Sequence, residues 1–273
     1  MFHERLDINK WTSIFSLQRL RDEDSDPSGR SITSPDDIAI VEQIRAEVLG
    51  RELPSEKLPT DVFVFSEGEP ARREITKVGG LPYWPKDKVW PERDGKPLTF
   101  IAQFNFMDSR DIIDQLPGDM LLMFGTQDAV RFMDSSLLYF EWINVSEVNL
   151  VSSNDIPAVE LEVNPFYGSI HRTYDFPKSM DKFDNYKQSY LLDTIEGTKI
   201  GGAPRWIQWH EELPGRFLCA LGSIHPSIRE FPFINHPKPF ETWFDKGLKW
   251  GDVGCVFMFI DQRGQVHSTI QCY

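Results

Sequence analysis

An eight-residue motif occurs twice in this chain, and that recurrence limits the possible folds more than any other feature. Lys77-Val-Gly-Gly-Leu-Pro-Tyr-Trp84 returns as Lys199-Ile-Gly-Gly-Ala-Pro-Arg-Trp206, identical at five of eight positions. The segments downstream of each copy also recur. Leu98-Thr-Phe-Ile-Ala-Gln103 is matched by Arg216-Phe-Leu-Cys-Ala-Leu221, and Gly118-Asp-Met-Leu-Leu-Met-Phe124 by Gly251-Asp-Val-Gly-Cys-Val-Phe257. Two copies are too few for an open solenoid. Isolated strand pairs are marginal in water. The repeats, about 75–145 and 197–273, are therefore expected to pack about a pseudo-twofold axis and share one core.

The motif has a physical meaning of its own. Paired glycines permit positive φ or very close backbone approach. The next proline fixes φ and cannot extend a central strand. Trp84 and Trp206 can pack over the turn if each indole N–H finds an acceptor. This describes a rigid corner built from Lys77, Gly79, Gly80 and Trp84, and again from Lys199, Gly201, Gly202 and Trp206. The alternative is a ligand-contacting loop, an anion cradle of backbone N–H groups with a lysine beside it. The spacing is neither GxGxxG nor that of a P-loop, which favours the corner.

Short apolar or alternating runs lie between Pro, Gly and Asp at Val62–Phe65, Leu98–Asn105, Met120–Phe124, Leu137–Trp142, Pro157–Val163 and Ser169–Tyr174. They read as strands. The end of the chain reads as a hairpin: Val253–Ile260, a turn at Asp261–Gly264, and a return strand Gln265–Cys272 with two distinct faces. Ser34-Pro-Asp-Asp37 carries helix-start signals ahead of apolar residues at helical spacing, ending at Gly50. The expected fold is α+β and mostly β, an internally duplicated arrangement of coiled antiparallel sheets with a few short helices. A helical region at 1–60 is expected to pack on a duplicated domain at 61–273.

Asp22–Gly29 is acidic and turn-rich, but Pro27 stands where a calcium loop needs glycine and no glutamate closes the loop. A solvated linker is expected there. The 273 residues carry a formal net charge of −13, and residues 1–70 hold 15 acids against 8 bases. Phosphate-backbone binding needs a basic footprint, so nucleic acid is a poor partner. An acidic surface favours encounter with a basic protein. The three cysteines form no CxxC, the start lacks the order of a signal peptide, and no apolar run approaches the roughly 20 residues that span a bilayer. A cytoplasmic protein without membrane contact is expected.

No catalytic constellation stands out. His210-Glu-Glu212 lacks the second histidine of a zincin helix. His225, His236 and Cys219 have no recognised ligand spacing, so no metal and no cofactor are expected. Cys219 and Cys255 sit in apolar runs that favour inert thiols. Asp119 and Asp252 each follow glycine and precede a strand. Their expected role is structural, accepting N–H bonds in the turn. Phe231, Phe233, Phe240, Trp243 and Phe244, interleaved with polar residues, form a candidate interface.

Lys77–Trp84, Phe100-Ile-Ala-Gln-Phe104, Gly118–Phe124, Lys199–Gln208 and Trp250-Gly-Asp-Val-Gly254 together resemble the YwqG-like family of bacterial proteins, over roughly residues 60–273. The resemblance implies an internally duplicated, mostly β architecture of coiled sheets. It supplies no catalytic residues. Family members occur beside polymorphic or contact-dependent toxins, which implies an immunity or partner-binding role. The expected function is non-enzymatic: an immunity protein that neutralises a cognate bacterial toxin by steric and electrostatic occlusion, the expected partner being a basic toxin domain. Two alternatives stand beside it, an enzyme with a site between the repeats and a housekeeping interaction module.

Overall fold

The computed structural model of the protein describes residues 57–146, 149–175, 194–195, 197–224, 247–252 and 254–272. The expected N-terminal helix, the acidic linker and the aromatic segment at 231–244 lie outside the described residues.

The first half supplies strands β1 (Leu58–Glu67), β2 (Lys77–Val78), β5 (Thr99–Asn105), β6 (Met120–Gly125) and β7 (Leu138–Ile143), with a small hairpin of β3 (Glu92–Arg93) and β4 (Lys96–Pro97). The second half supplies β8 (Phe166–Asp175), β9 (Lys199–Gly201), β10 (Arg216–Gly222), β11 (Gly254–Ile260) and β12 (Val266–Cys272). A short helix α1 (Gln127–Arg131) and a few 3-10 turns complete the described elements. The fold is mostly β, and the main sheet has ten antiparallel strands in the order β12-β11-β10-β9-β1-β8-β2-β5-β6-β7.

This order shows how the halves are joined. Each half runs in the same sequence outward from the centre, but the first strands are exchanged. β1 pairs with β9 of the second half, with Val62 opposite Lys199, and β8 pairs with β2 of the first, with Tyr167 opposite Lys77. β1 and β8 also pair with each other along their full length, from Leu58 opposite Asp175 to Glu67 opposite Phe166. Neither half can therefore complete its own sheet.

Both faces of β6 and β11 are covered, so these strands read as unbroken apolar runs rather than alternating ones. Leu121 and Met123 point into one large core with Val256, Met258 and Ile260, and Phe63, Phe65, Ile101, Leu218 and Leu221 complete it. On the other face, Met120, Leu122 and Phe124 pack with Trp84 and Phe100. Cys255, Phe257 and Phe259 do the same with Trp206 and Phe217. The sheet is curled nearly to closure. Its two halves meet where Gly251 N–H donates to Val130 O (3.1 Å) and, toward the opposite ends of β6 and β11, where Arg216 pairs with Asp114.

Two expectations need correction. Pro157–Val163 is not a strand; apart from the one-turn 3-10 segment at Ser153–Asp155, residues 151–165 are irregular. Prolines flank the stretch at 157 and 165, and its carbonyls serve other groups. Leu161 O accepts from Thr99 Oγ1, and Val163 O accepts from Gly80 N–H. The repeat alignment also shifts. Lys77 lies opposite Gln103, which lies opposite Leu122. Lys199 lies opposite Ala220, which lies opposite Phe257. Leu122 thus corresponds to Phe257, two positions from the sequence match, and Gln103 to Ala220, one position from it. Asp119 and Asp252 are consequently not equivalent.

Candidate functional site

The two Gly-Gly corners are built on one plan. In the first, Lys77 Nζ donates to Glu69 Oε2 at 2.6 Å, and the other oxygen, Oε1, accepts from Leu81 N–H at 2.6 Å. In the second, Lys199 Nζ donates to Asp175 Oδ2 at 2.6 Å, and the same oxygen accepts from Ala203 N–H at 3.0 Å. Asp175 Oδ1 takes Ile195 N–H at 2.8 Å. Each corner is therefore an anion cradle whose anion is a carboxylate of the chain itself. Gly80 and Gly202 hold φ of +66° and +70°, and a Cβ at either would fall on that carboxylate. Burial pushes the Lys77 ammonium down, and its hydrogen bond to Glu69 offsets this in part.

Trp84 is buried, donates its indole N–H to Lys88 O, and meets Phe124 edge-on at 5.1 Å. Trp206 is half-buried, stacks on Phe259 at 5.9 Å and lies 5.0 Å from Phe257. The two corners differ in what lies over them. Across the first runs the segment joining the halves: Val151 N–H donates to Trp84 O, Lys86 N–H to Asn149 O, and Pro85 bridges Leu150. The second corner is held by Gln271, whose buried amide oxygen accepts from Ile207 and Gln208 N–H at 3.0 and 3.1 Å.

Asp119 sits at the mouth of β6. It pairs with Arg110 and accepts from Val145 N–H at 2.9 Å. Asp252 is 82% exposed and pairs with Lys249 at 3.2 Å. The structure does not bring these two acids together. Cys219 is wholly buried, and burial pushes its thiol well up, out of the range of a nucleophile. Among the described residues no group of three or more His, Cys, Asp or Glu is arranged to hold a metal ion. His225, His236, Phe231, Phe233, Phe240, Trp243 and Phe244 lie outside those residues.

Sequence patterns did not mark one charged cluster. Asp61, at the head of an apolar run on β1, is fully buried opposite Arg172 on β8. Arg172 grips it with Nε at 2.5 Å and Nη2 at 3.0 Å, and reaches Asp111 with Nη1 at 2.6 Å. Ser109 Oγ donates to Asp61 Oδ2 at 2.7 Å. The two carboxylates raise the already basic Arg172 further. The available signal was an acid beginning an apolar strand, but its partner lies 111 residues away. A cleft of about 320 Å³ opens in the first half beside α1, with Arg93, Lys96, Thr126, Asp128 and Glu160 on its walls. Lys96 and Glu160 pair across it at 2.8 Å.

No helix among the described residues is long and apolar enough to cross a membrane. No curated protein matches the chain. A family model, described as a domain of unknown function, matches residues 76–264, from the first Gly-Gly corner to the turn of the last hairpin. On that match, over more than half its length, the chain belongs to the DUF1963 family.

Proposed function

We propose that this chain is a non-enzymatic, cytoplasmic protein-binding protein of YwqG-like type, an immunity protein that occludes a cognate bacterial toxin. The carrying observation is the division of its carboxylates. Those that are buried are consumed internally: Asp175 by Lys199 and two backbone N–H groups, Asp61 by Arg172 and Ser109. Others face solvent, among them Asp87, Glu92, Asp94, Glu162 and Glu212. On a chain of net charge −13, such acids attract a basic protein and repel nucleic acid. Occlusion of a basic active face by this surface needs no catalytic group.

The alternative of an enzyme with a site between the repeats has less support. The described residues fill that junction with apolar side chains such as Phe63, Ile101, Leu218 and Met258, all out of contact with water. The test is an affinity capture from the native cell with this protein as bait. Recovery of one basic protein at low salt, lost at high salt, supports the reading. Recovery of no specific protein overturns it.

A further inference from the structure

The two corner loops are equivalent by sequence and topology, yet they are finished differently. Counting on from the shared tryptophan, Pro85 and Lys86 correspond to Ile207 and Gln208. In the first half the chain's own segment 149–151 lies across these positions. Among the described residues the second half has no such segment. A single buried side chain does the fastening instead. Gln271 accepts from Ile207 and Gln208 N–H with its oxygen and donates its amide hydrogens to Trp209 O and Glu211 Oε1, both at 2.8 Å. The result is a fixed loop whose Trp209 is 61% exposed. Gln208, His210 and Glu212 are exposed around it.

An exposed tryptophan on an immobilised loop has the properties of a binding anchor. Tryptophan is enriched among residues that dominate interface energies. A loop already held in place gives up little conformational freedom on binding. Nothing in the fold requires the ring to face water, because Trp206 and Gln271 already complete the corner. Glu211, whose Oε1 is held by Gln271, and the exposed Glu212 follow in the same loop, so the loop that presents the ring is acidic. An indole face on an acidic loop suits an arginine or lysine, by cation–π attraction and by charge.

We propose that the loop Gln208–Glu212, centred on Trp209, is the surface on which the protein's basic partner docks, with an Arg or Lys of that partner seated on the Trp209 ring. This rests on the protein-binding reading of the chain. The loop supplies the fixed anchor, and the acidic surface supplies the approach.

The test uses three full-length baits on one native lysate at low salt: the wild type, Trp209→Ala and Val89→Ala. Val89 is the exposed apolar residue of the equivalent first loop, at 85% exposure, and serves as control. The captured protein is then purified and titrated calorimetrically against each bait. Expected is one basic protein that wild type and Val89→Ala bind alike, and that Trp209→Ala binds about tenfold more weakly or worse. All three baits are expected to share one thermal midpoint, since the ring is exposed. Equal affinity for Trp209→Ala overturns the docking surface while leaving the protein-binding reading intact. Capture of no specific protein by the wild-type bait overturns both.

Discussion

Lys199 Nζ lies 2.6 Å from Asp175 Oδ2, and both side chains are almost wholly removed from water. Asp175 is the last residue of β8, and Lys199 is the first of β9, so this pair ties together strands that both border β1. Removing one partner of a buried pair leaves an uncompensated charge, at a cost of about 3–5 kcal/mol. Asp175→Asn is expected to destabilise the protein on that scale in urea unfolding. Glu69→Gln, at the equivalent corner, is expected to cost less, because Glu69 is one-third exposed and water can reach Lys77 once the carboxylate is lost. Equal losses would show that burial does not set the difference.

Gly80 and Gly202 test the corner by shape rather than charge. Alanine at either position meets a left-handed backbone, costing about 1–2 kcal/mol. It also displaces the carboxylate that fills the cradle. Gly95 provides the comparison, since its φ is +73° and a Cβ there meets nothing within 4 Å. Gly80→Ala and Gly202→Ala should therefore lower the thermal midpoint more than Gly95→Ala. Gly202→Ala should be worse than Gly80→Ala, because Asp175 has no solvent to retreat into. Unchanged midpoints for both corner variants would refute the filled cradle.

The corners were legible in the sequence because their information is local. Eight consecutive residues carry the glycines, the proline and the tryptophan. The acids that fill them were hidden. Glu69 stands 8 residues before Lys77, whereas Asp175 stands 24 before Lys199, so neither spacing nor residue type repeats. The alignment of Asp119 with Asp252 failed for a related reason. A slip of two residues keeps every side chain on the same face. In β6 and β11, apolar on both faces, nothing in the pattern penalises it. Exchange of β1 and β8 was out of reach as well, because register between strands more than 100 residues apart is decided by packing of the finished core.

Tyr139 gives a prediction in pH. Its hydroxyl donates to Glu141 Oε2 at 2.5 Å, and partial burial together with that carboxylate pushes the phenol up to about 12. An acid whose folded value exceeds its unfolded value, about 10, contributes stability that is complete below about pH 10. That contribution is lost as pH rises through about 12. Ultraviolet titration of the phenolates should show one late-ionising tyrosine that Tyr139→Phe removes. Glu141→Gln should bring it part of the way back toward about 10. A late phenolate that persists in Tyr139→Phe would assign the shift to another residue.

The exchanged strands make a stronger claim about the whole molecule. If β1 belongs to the second half's sheet and β8 to the first's, the covalent link between the halves is not what holds them together. The 3-10 turn at Ser153–Asp155 lies in that link, with Ser153 and Asn154 exposed. A protease site inserted after Asn154 and then cut should leave the two fragments together in native mass spectrometry and gel filtration, at the mass of the intact chain. To part, they would have to break the β1–β9, β1–β8 and β8–β2 ladders and open a core to which both contribute. The cut protein should unfold in one transition, with a midpoint that falls as it is diluted, because folding has become an association. Fragments that separate on native gel filtration would show that each half completes its own sheet, and would overturn the exchanged topology.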